Sequence, residues 1–105
     1  MNTDLEVSTF QKKPAYRYIR KSDNVPVTSS DSMALIKLFD PTSSWTWYIT
    51  EYDPEGRIAY GLVDGFEKEL GSFSMKELVD YRGKFGLPIE RDLHWKPRPV
   101  SECYK

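Results

Sequence analysis

Trp45-Thr46-Trp47-Tyr48-Ile49-Thr50-Glu51-Tyr52, followed at once by Asp53-Pro54-Glu55-Gly56, is the stretch that decides how this chain folds. Apart from Glu51, every residue of the first eight is aromatic or β-branched, the types that suit a pleated, half-buried surface. Side chains alternate across a strand, so Trp45, Trp47 and Ile49 share one face and Thr46, Tyr48 and Thr50 the other. The tryptophan face is assigned to the core. Asp53-Pro54-Glu55-Gly56 then reads as a turn: proline presets φ at its second position, and glycine tolerates a positive φ.

Working outward, residues 57–64 repeat the alternation. Ile58, Tyr60 and Leu62 lie on one face, and the smaller Ala59, Gly61 and Val63 on the other. Two such strands about a four-residue turn make an antiparallel hairpin. Asp64-Gly65 invites a second bend, and residues 66–73 supply a third strand with Gly71 as a bulge. Upstream, residues 33–39 form an apolar run that Asp40-Pro41 ends, because the residue before a proline is pushed from helical geometry. Before that, Tyr16, Tyr18, Arg17 and Ile19 alternate within a basic run and permit a short strand.

Downstream, Ser74-Met75-Lys76-Glu77 has the form of a capping box. It predicts a helix over 75–81 with Met75, Leu78 and Val79 buried. Arg82-Gly83-Lys84 should end that helix, with cations at its C-terminal dipole and Gly83 as a left-handed cap. Pro88 predicts one helical turn over 89–93. Residues 94–100 are too rich in proline for a central strand, so an edge strand or extended strap is expected. The fold class expected is α+β: an antiparallel sheet of three to five strands with one main helix on one face, in a single domain spanning 1–105. Within it, 1–32 is the least patterned, variable segment.

Composition excludes several function classes. At 39% hydrophobic and 30% charged residues, the chain is that of a globular domain and not a disordered tail. Its longest purely apolar run, Met33 to Ile36, is far short of the roughly 20 residues of a membrane-spanning helix. No apolar secretory run opens the chain, and the lone Cys103 can form no internal disulfide, so a cytoplasmic protein without membrane contact is expected. No nucleotide-binding glycine motif, nucleophile triad or zinc spacing is present, so no cofactor and no metal are expected.

The net charge of −1 is unevenly spread. Residues 40–80 hold nine acidic and three basic groups, whereas 1–39 and 81–105 are both net basic. The acidic residues Glu51, Asp53, Glu55, Asp64, Glu67 and Glu69 are the candidate partner-binding face, suited to a basic protein or to imitating a phosphate backbone. The alternative is that the basic ends fold back and neutralise them. Arg17, Arg20, Lys96 and Arg98, with Tyr48 and Tyr52 on the second strand face, are candidate nucleic-acid contacts, since aromatics stack on bases and cations meet phosphates. Solvated charges and core aromatics are the plain alternatives. A pair among the carboxylates Glu51, Asp53 and Glu55 at the turn or Glu67 and Glu69 on the next strand, or the single histidine, His94, could serve a small hydrolase or nuclease. Glu51, Asp53 and His94 are the candidates for it. Solvated turn acids and a surface or core histidine are the plain alternatives. Glu90-Arg91-Asp92 reads as a structural ion-pair hub.

Residues 37–41 with 43–51, then Tyr60-Gly61-Leu62-Val63-Asp64-Gly65, then Glu69-Leu70-Gly71-Ser72-Phe73-Ser74 with Glu77-Leu78, and last Gly86-Leu87-Pro88-Ile89-Glu90-Arg91-Asp92-Leu93 with Lys96-Pro97 and Ser101, resemble in order the domain-of-unknown-function family 2958. The likeness runs over residues 33–102. It implies a setting among plasmids, integrative elements and phages, close to genes of DNA transfer and anti-restriction, and it implies no catalytic residue. The expected function is therefore non-enzymatic: an accessory protein of a mobile element that binds a protein partner, such as a DNA-binding host defence factor of the restriction or CRISPR type, through its acidic face. A nucleic-acid-binding module is the alternative expectation, and a small hydrolase or nuclease the third.

Overall fold

The computed structural model describes residues 18–104. Its strands are β1 (Met33–Ala34), β2 (Ile36–Phe39), β3 (Thr46–Asp53), β4 (Ile58–Asp64), β5 (Lys68–Ser74), β6 (Glu90–Arg91) and β7 (Arg98–Pro99). One helix, α1 (Met75–Asp80), and 3-10 turns at Lys21–Asp23, Lys84–Gly86 and Val100–Tyr104 complete it. Five strands form an antiparallel sheet in the order β5-β4-β3-β2-β6, and β1 pairs with β7 in a small second ladder.

The aromatic strand is the centre of this sheet, as its composition demands. Trp47 pairs with Leu38 on one side and Val63 on the other, and Ile49 with Ile36 and Gly61. Asp53 Oδ1 accepts from the Glu55 amide at 3.0 Å and shapes the β3–β4 turn. The positive φ of that turn falls on Arg57 and not on Gly56. The sheet's irregularity also lies elsewhere than expected. The register shifts on β3 between Ile49 and Glu51, whereas Gly71 pairs regularly with Gly61. The extra residue, Thr50, is buried and donates its hydroxyl to the Tyr60 carbonyl at 3.1 Å.

Both faces of the sheet are covered. On one, Ile36, Leu38, Trp47, Ile49 and Ala59 meet Met75, Leu78 and Val79 of α1, together with Tyr18 and Ile89. On the other, Leu62 packs with Ala34, Val100 and Cys103, and Tyr48 and Trp95 close against them. Ile36, Leu38, Ile49, Leu62 and Met75 are the largest fully buried side chains. Each contributes roughly 1.5–3 kcal/mol by leaving water. Packing, and not the propensity of a six-residue helix, therefore holds α1 in place.

This corrects the expected fold class. In place of three to five strands bearing one main helix, the described residues form seven strands in two sheets, one short helix and 3-10 turns. The helix starts where the capping signal put it, Ser74 Oγ accepting from the Glu77 amide at 3.1 Å. It stops early because Tyr81 is extended, its hydroxyl donating to Asp40 at 2.8 Å. Gly83 is extended and not a left-handed cap. Its hydrogen α-substituent is needed for another reason: a β-carbon there would crowd Thr42 Oγ1 and both Asp40 oxygens. The apolar run 33–39 is divided at Leu35, whose amide donates to the Ile49 carbonyl at 2.9 Å. The helical turn expected at 89–93 is instead strand β6, added to the edge of β2. The strand permitted about Tyr16 falls partly outside the described residues, and Tyr18 and Ile19 lie in a turn.

Of the expected ion-pair hub Glu90-Arg91-Asp92, Arg91 and Asp92 are paired and tie the ends to the sheet, whereas Glu90 is exposed. Arg91 makes two bonds to the Asp23 carboxylate, at 2.7 and 2.8 Å, and a third to the Tyr18 carbonyl at 3.0 Å. Asp92 lies 3.9 Å from Lys37. Asp40 is buried, at 2% exposure, and accepts from the Thr42 amide, the Thr42 hydroxyl and the Tyr81 hydroxyl. Burial pushes its carboxyl up, but these donors outweigh that and hold it below the ordinary carboxylate value.

Candidate functional site

The sheet topology divides the six acidic residues. Asp53 pairs with Ile58 at one end of β4, and Thr46 with Asp64 at the other. β4 is seven residues long, so these ends lie about 20 Å apart. Glu51, Asp53 and Glu55 therefore sit at one end of the sheet, and Asp64, Glu67 and Glu69 at the other. In the first group Glu51 accepts from the Ser29 amide at 2.9 Å and Asp53 shapes its turn. Two of these three carboxylates are already used within the fold.

The second group has different surroundings. Trp45, Val63, Gly65, Phe66, Glu67 and Glu69 line a hollow of about 280 Å³. Val63 and Glu69 are cross-strand partners on the face that carries α1. Trp45, just ahead of β3, stands beside Trp47 on that face, with ring centroids 6.0 Å apart. Phe66 approaches Trp45 edge-on, at 5.3 Å and 81°. Gly65 makes this possible, since any β-carbon there would overlap three carbons of the Trp45 ring. Phe66 is 94% exposed, so a large aromatic surface faces water. A second hollow of about 330 Å³, lined by Trp45, Trp47 and Tyr81, adjoins the first through Trp45. Among the described residues, the charged groups lining either hollow are Glu67 and Glu69 alone. Lys68, between them, is turned to the opposite face and donates to the Tyr104 carbonyl at 2.8 Å. Aromatic faces edged by carboxylates attract an ammonium or guanidinium group.

The candidate nucleic-acid residues are dispersed. Arg17 lies outside the described residues. Arg20 is exposed and, with Tyr52, lines a separate hollow of about 470 Å³ that also includes Ile19 and Val25. Tyr48 is half-buried beneath Trp95, at 5.4 Å. Arg98 stacks over Trp95 at 4.3 Å, and Lys37 Nζ lies 5.5 Å from the same ring. Trp95 donates its indole N–H to the Ala34 carbonyl at 2.9 Å. This cluster fastens the C-terminal strap to the sheet and occupies the aromatic face that a base would use. Lys96 is exposed beside it.

A groove of about 570 Å³ is lined by Lys37, Phe39, Ser43, Thr46, Arg91, Asp92, Leu93 and His94. Its charges are paired within the fold, Arg91 with Asp23 and Lys37 with Asp92. Asp92 also accepts from the His94 backbone amide at 2.9 Å, so it serves the chain turn. His94 lies near the start of β3, whereas Glu51 and Asp53 lie at its end, so the three residues considered for hydrolysis do not converge. Among the described residues, no group of three or more metal-ligating side chains comes together. No helix among them is long and apolar enough to cross a membrane.

Glu67 and Glu69 were legible in the sequence as acidic-face residues. Trp45 read as core, and Phe66 as the start of a strand. The available signal was Phe66 itself, an aromatic directly after the turn dipeptide Asp64-Gly65, where a loop tip is exposed.

No curated protein and no solved structure matches the chain. The family model described as protein of unknown function (DUF2958) matches residues 10–104, adding much of the N-terminal segment to the likeness seen from residue 33 onward. Spanning nearly the whole sequence, that match shows that the protein belongs to the DUF2958 family.

Proposed function

We propose that this protein acts without catalysis, by binding a basic protein partner through the acidic and aromatic end of its sheet. The observation that carries this reading is the hollow in which Trp45 and Phe66 stand edge to face with Glu67 and Glu69 as the charged neighbours among the described residues. Exposed aromatics are costly to a free surface and are the usual anchors of an interface. The carboxylates at their rim select a cation and steer its approach. Taken with the setting implied by the family likeness, the partner class is a DNA-binding host defence factor, whose basic groove such a surface would occupy. The protein would then be an accessory of a mobile element that blunts that defence.

Titration with a short arginine-bearing peptide, followed by the indole signals of Trp45 and Trp47, tests the core of this reading. A saturable shift that weakens with salt and is lost in the double variant Glu67→Gln/Glu69→Gln is expected. Equal binding of a glutamate-bearing peptide would overturn it. So would shifts confined to the groove around His94. Tight, salt-sensitive binding of single-stranded DNA that Arg98→Ala and Lys96→Ala abolish would replace it with the nucleic-acid reading.

A further inference from the structure

β5 is the outermost strand of the five-stranded sheet, seven residues long and regularly paired to β4 along its whole length. Among the described residues, no chain pairs with its outer edge. Folded proteins blunt such edges with proline, bulges, charged side chains or very short strands. The charges of β5, Lys68 and Glu69, stand at its start, and Leu70 to Ser74 carry none. β6, at the other edge, is two residues long. β5 has neither a proline nor a register shift. Its two faces are also distinctive. Glu69, Gly71 and Phe73 share the face of the aromatic hollow, and Lys68, Leu70 and Ser72 the other. Leu70 is 47% exposed, and beyond its chain neighbours no atom of the described residues lies within 4 Å of where a β-carbon on Gly71 would stand.

We propose that the outer edge of β5 accepts an extended, antiparallel segment of the basic partner as a sixth strand, with a cationic side chain opposite Glu69. This rests on the reading of the Trp45–Phe66 hollow as a cation site, and it adds the mode of capture and the sequence pattern captured. Residues directly opposite in an antiparallel pair share a face, with β-carbons about 4.5–5.5 Å apart. An arginine opposite Glu69 therefore projects over the hollow that Glu69 lines. The next position faces Leu70 on the other side of the sheet, where an apolar β-branched residue fits. The position opposite Gly71 meets open space, which an aromatic ring fills. The segment thus reads, in its own chain direction, aromatic, β-branched, arginine. Backbone bonds to β5 hold it, and the hollow selects it.

The probe is a capped peptide, Thr-Phe-Val-Arg-Val-Thr, added to the full chain. Two further versions carry N-methyl groups on alternate amides, one version for each edge of the extended peptide. Binding of the parent peptide with slowed hydrogen exchange at the amides of β5 is expected. The version methylated on the edge that faces β5 should bind at least about tenfold more weakly, and the other should bind like the parent. Loss by both versions, loss by neither, or no binding of the parent overturns strand addition. Equal binding by all three, still dependent on the arginine and on Glu69, leaves the cation hollow standing and removes only the strand. Replacing the peptide arginine by glutamate should also cost about tenfold or more, and if it costs nothing the pairing with Glu69 is wrong.

Discussion

The ring of Trp45 lies so close to Gly65 that the space of one methyl group at Gly65 is already filled by indole carbons. The sequence offers glycine there, and the aromatic corner depends on it. Gly65→Ala must push the indole away, since the flexible partner in the clash is the side chain. We expect a stability loss of about 1–2 kcal/mol, a changed tryptophan emission, and weaker binding of the arginine peptide. Unchanged peptide binding with a displaced indole would separate Trp45 from the cation site.

Gly61 presents a harder constraint. A β-carbon there would overlap the Tyr48 carbonyl, which is backbone of the central strand and cannot rotate aside. Gly61→Ala should therefore cost more than Gly65→Ala, about 2–4 kcal/mol, read as a lower urea midpoint. A cost below that of Gly65→Ala would show that β3 and β4 can move apart near the Thr50 bulge.

The Arg91–Asp23 pair gives stability a dependence on pH. The Arg91 hydrogen bonds hold the Asp23 carboxyl below its ordinary value of 3.8, against the opposing effect of burial. The folded-state value is thus below the unfolded one. The pair's contribution is complete above about pH 4 and is lost as pH falls through the folded value. Asp23→Asn should cost about 1–3 kcal/mol at neutral pH, since it weakens hydrogen bonds to a charged group. The gap between variant and parent should close as the pH falls below 3.8. A gap independent of pH down to pH 2 would assign the loss to packing and not to the ion pair.

Cys103 is buried among Ala34, Leu62 and Val100. Burial raises its thiol above the ordinary value and outweighs the opposing charges of Arg98, Lys37 and Lys68. The raised value suppresses the thiolate, the reactive form, and burial limits access to it. Alkylation by iodoacetamide at pH 8 should be slow in the native protein and rise sharply across the urea transition. Rapid native labelling would mean that the Val100–Tyr104 turn opens on its own.

Several elements were legible because their signals are local. The β3–β4 hairpin follows from aromatic alternation beside Asp53-Pro54, and the start of α1 from the Ser74 side chain reaching the Glu77 amide three residues on. β6 was not legible, because two residues carry no periodicity and it exists only where the edge of β2 offers a ladder. β1 and β7 fall inside the apolar run 33–39 and the expected edge strand over 94–100, but their pairing with each other, apart from the main sheet, was not legible. The early end of α1 likewise depends on Asp40, 41 residues from Tyr81. At the candidate site, the acidity of Glu67 and Glu69 was plain. Their separation from Glu51, Asp53 and Glu55 was not, because a hairpin places residues close in sequence at opposite ends of one strand.

By itself, then, the sequence determined the central antiparallel meander, which face of β3 holds Trp47 and Ile49, and the absence of a familiar catalytic motif, because alternation and turn chemistry act within a few residues. Only the tertiary structure decided that the C-terminal strap covers the second face and that Phe66 stands against Trp45 beside two carboxylates. It also left β5 without a neighbouring strand on its outer edge among the described residues. Those outcomes depend on contacts between residues far apart in the chain, whose geometry is fixed only when the sheet has formed and its two faces compete for the remaining apolar side chains.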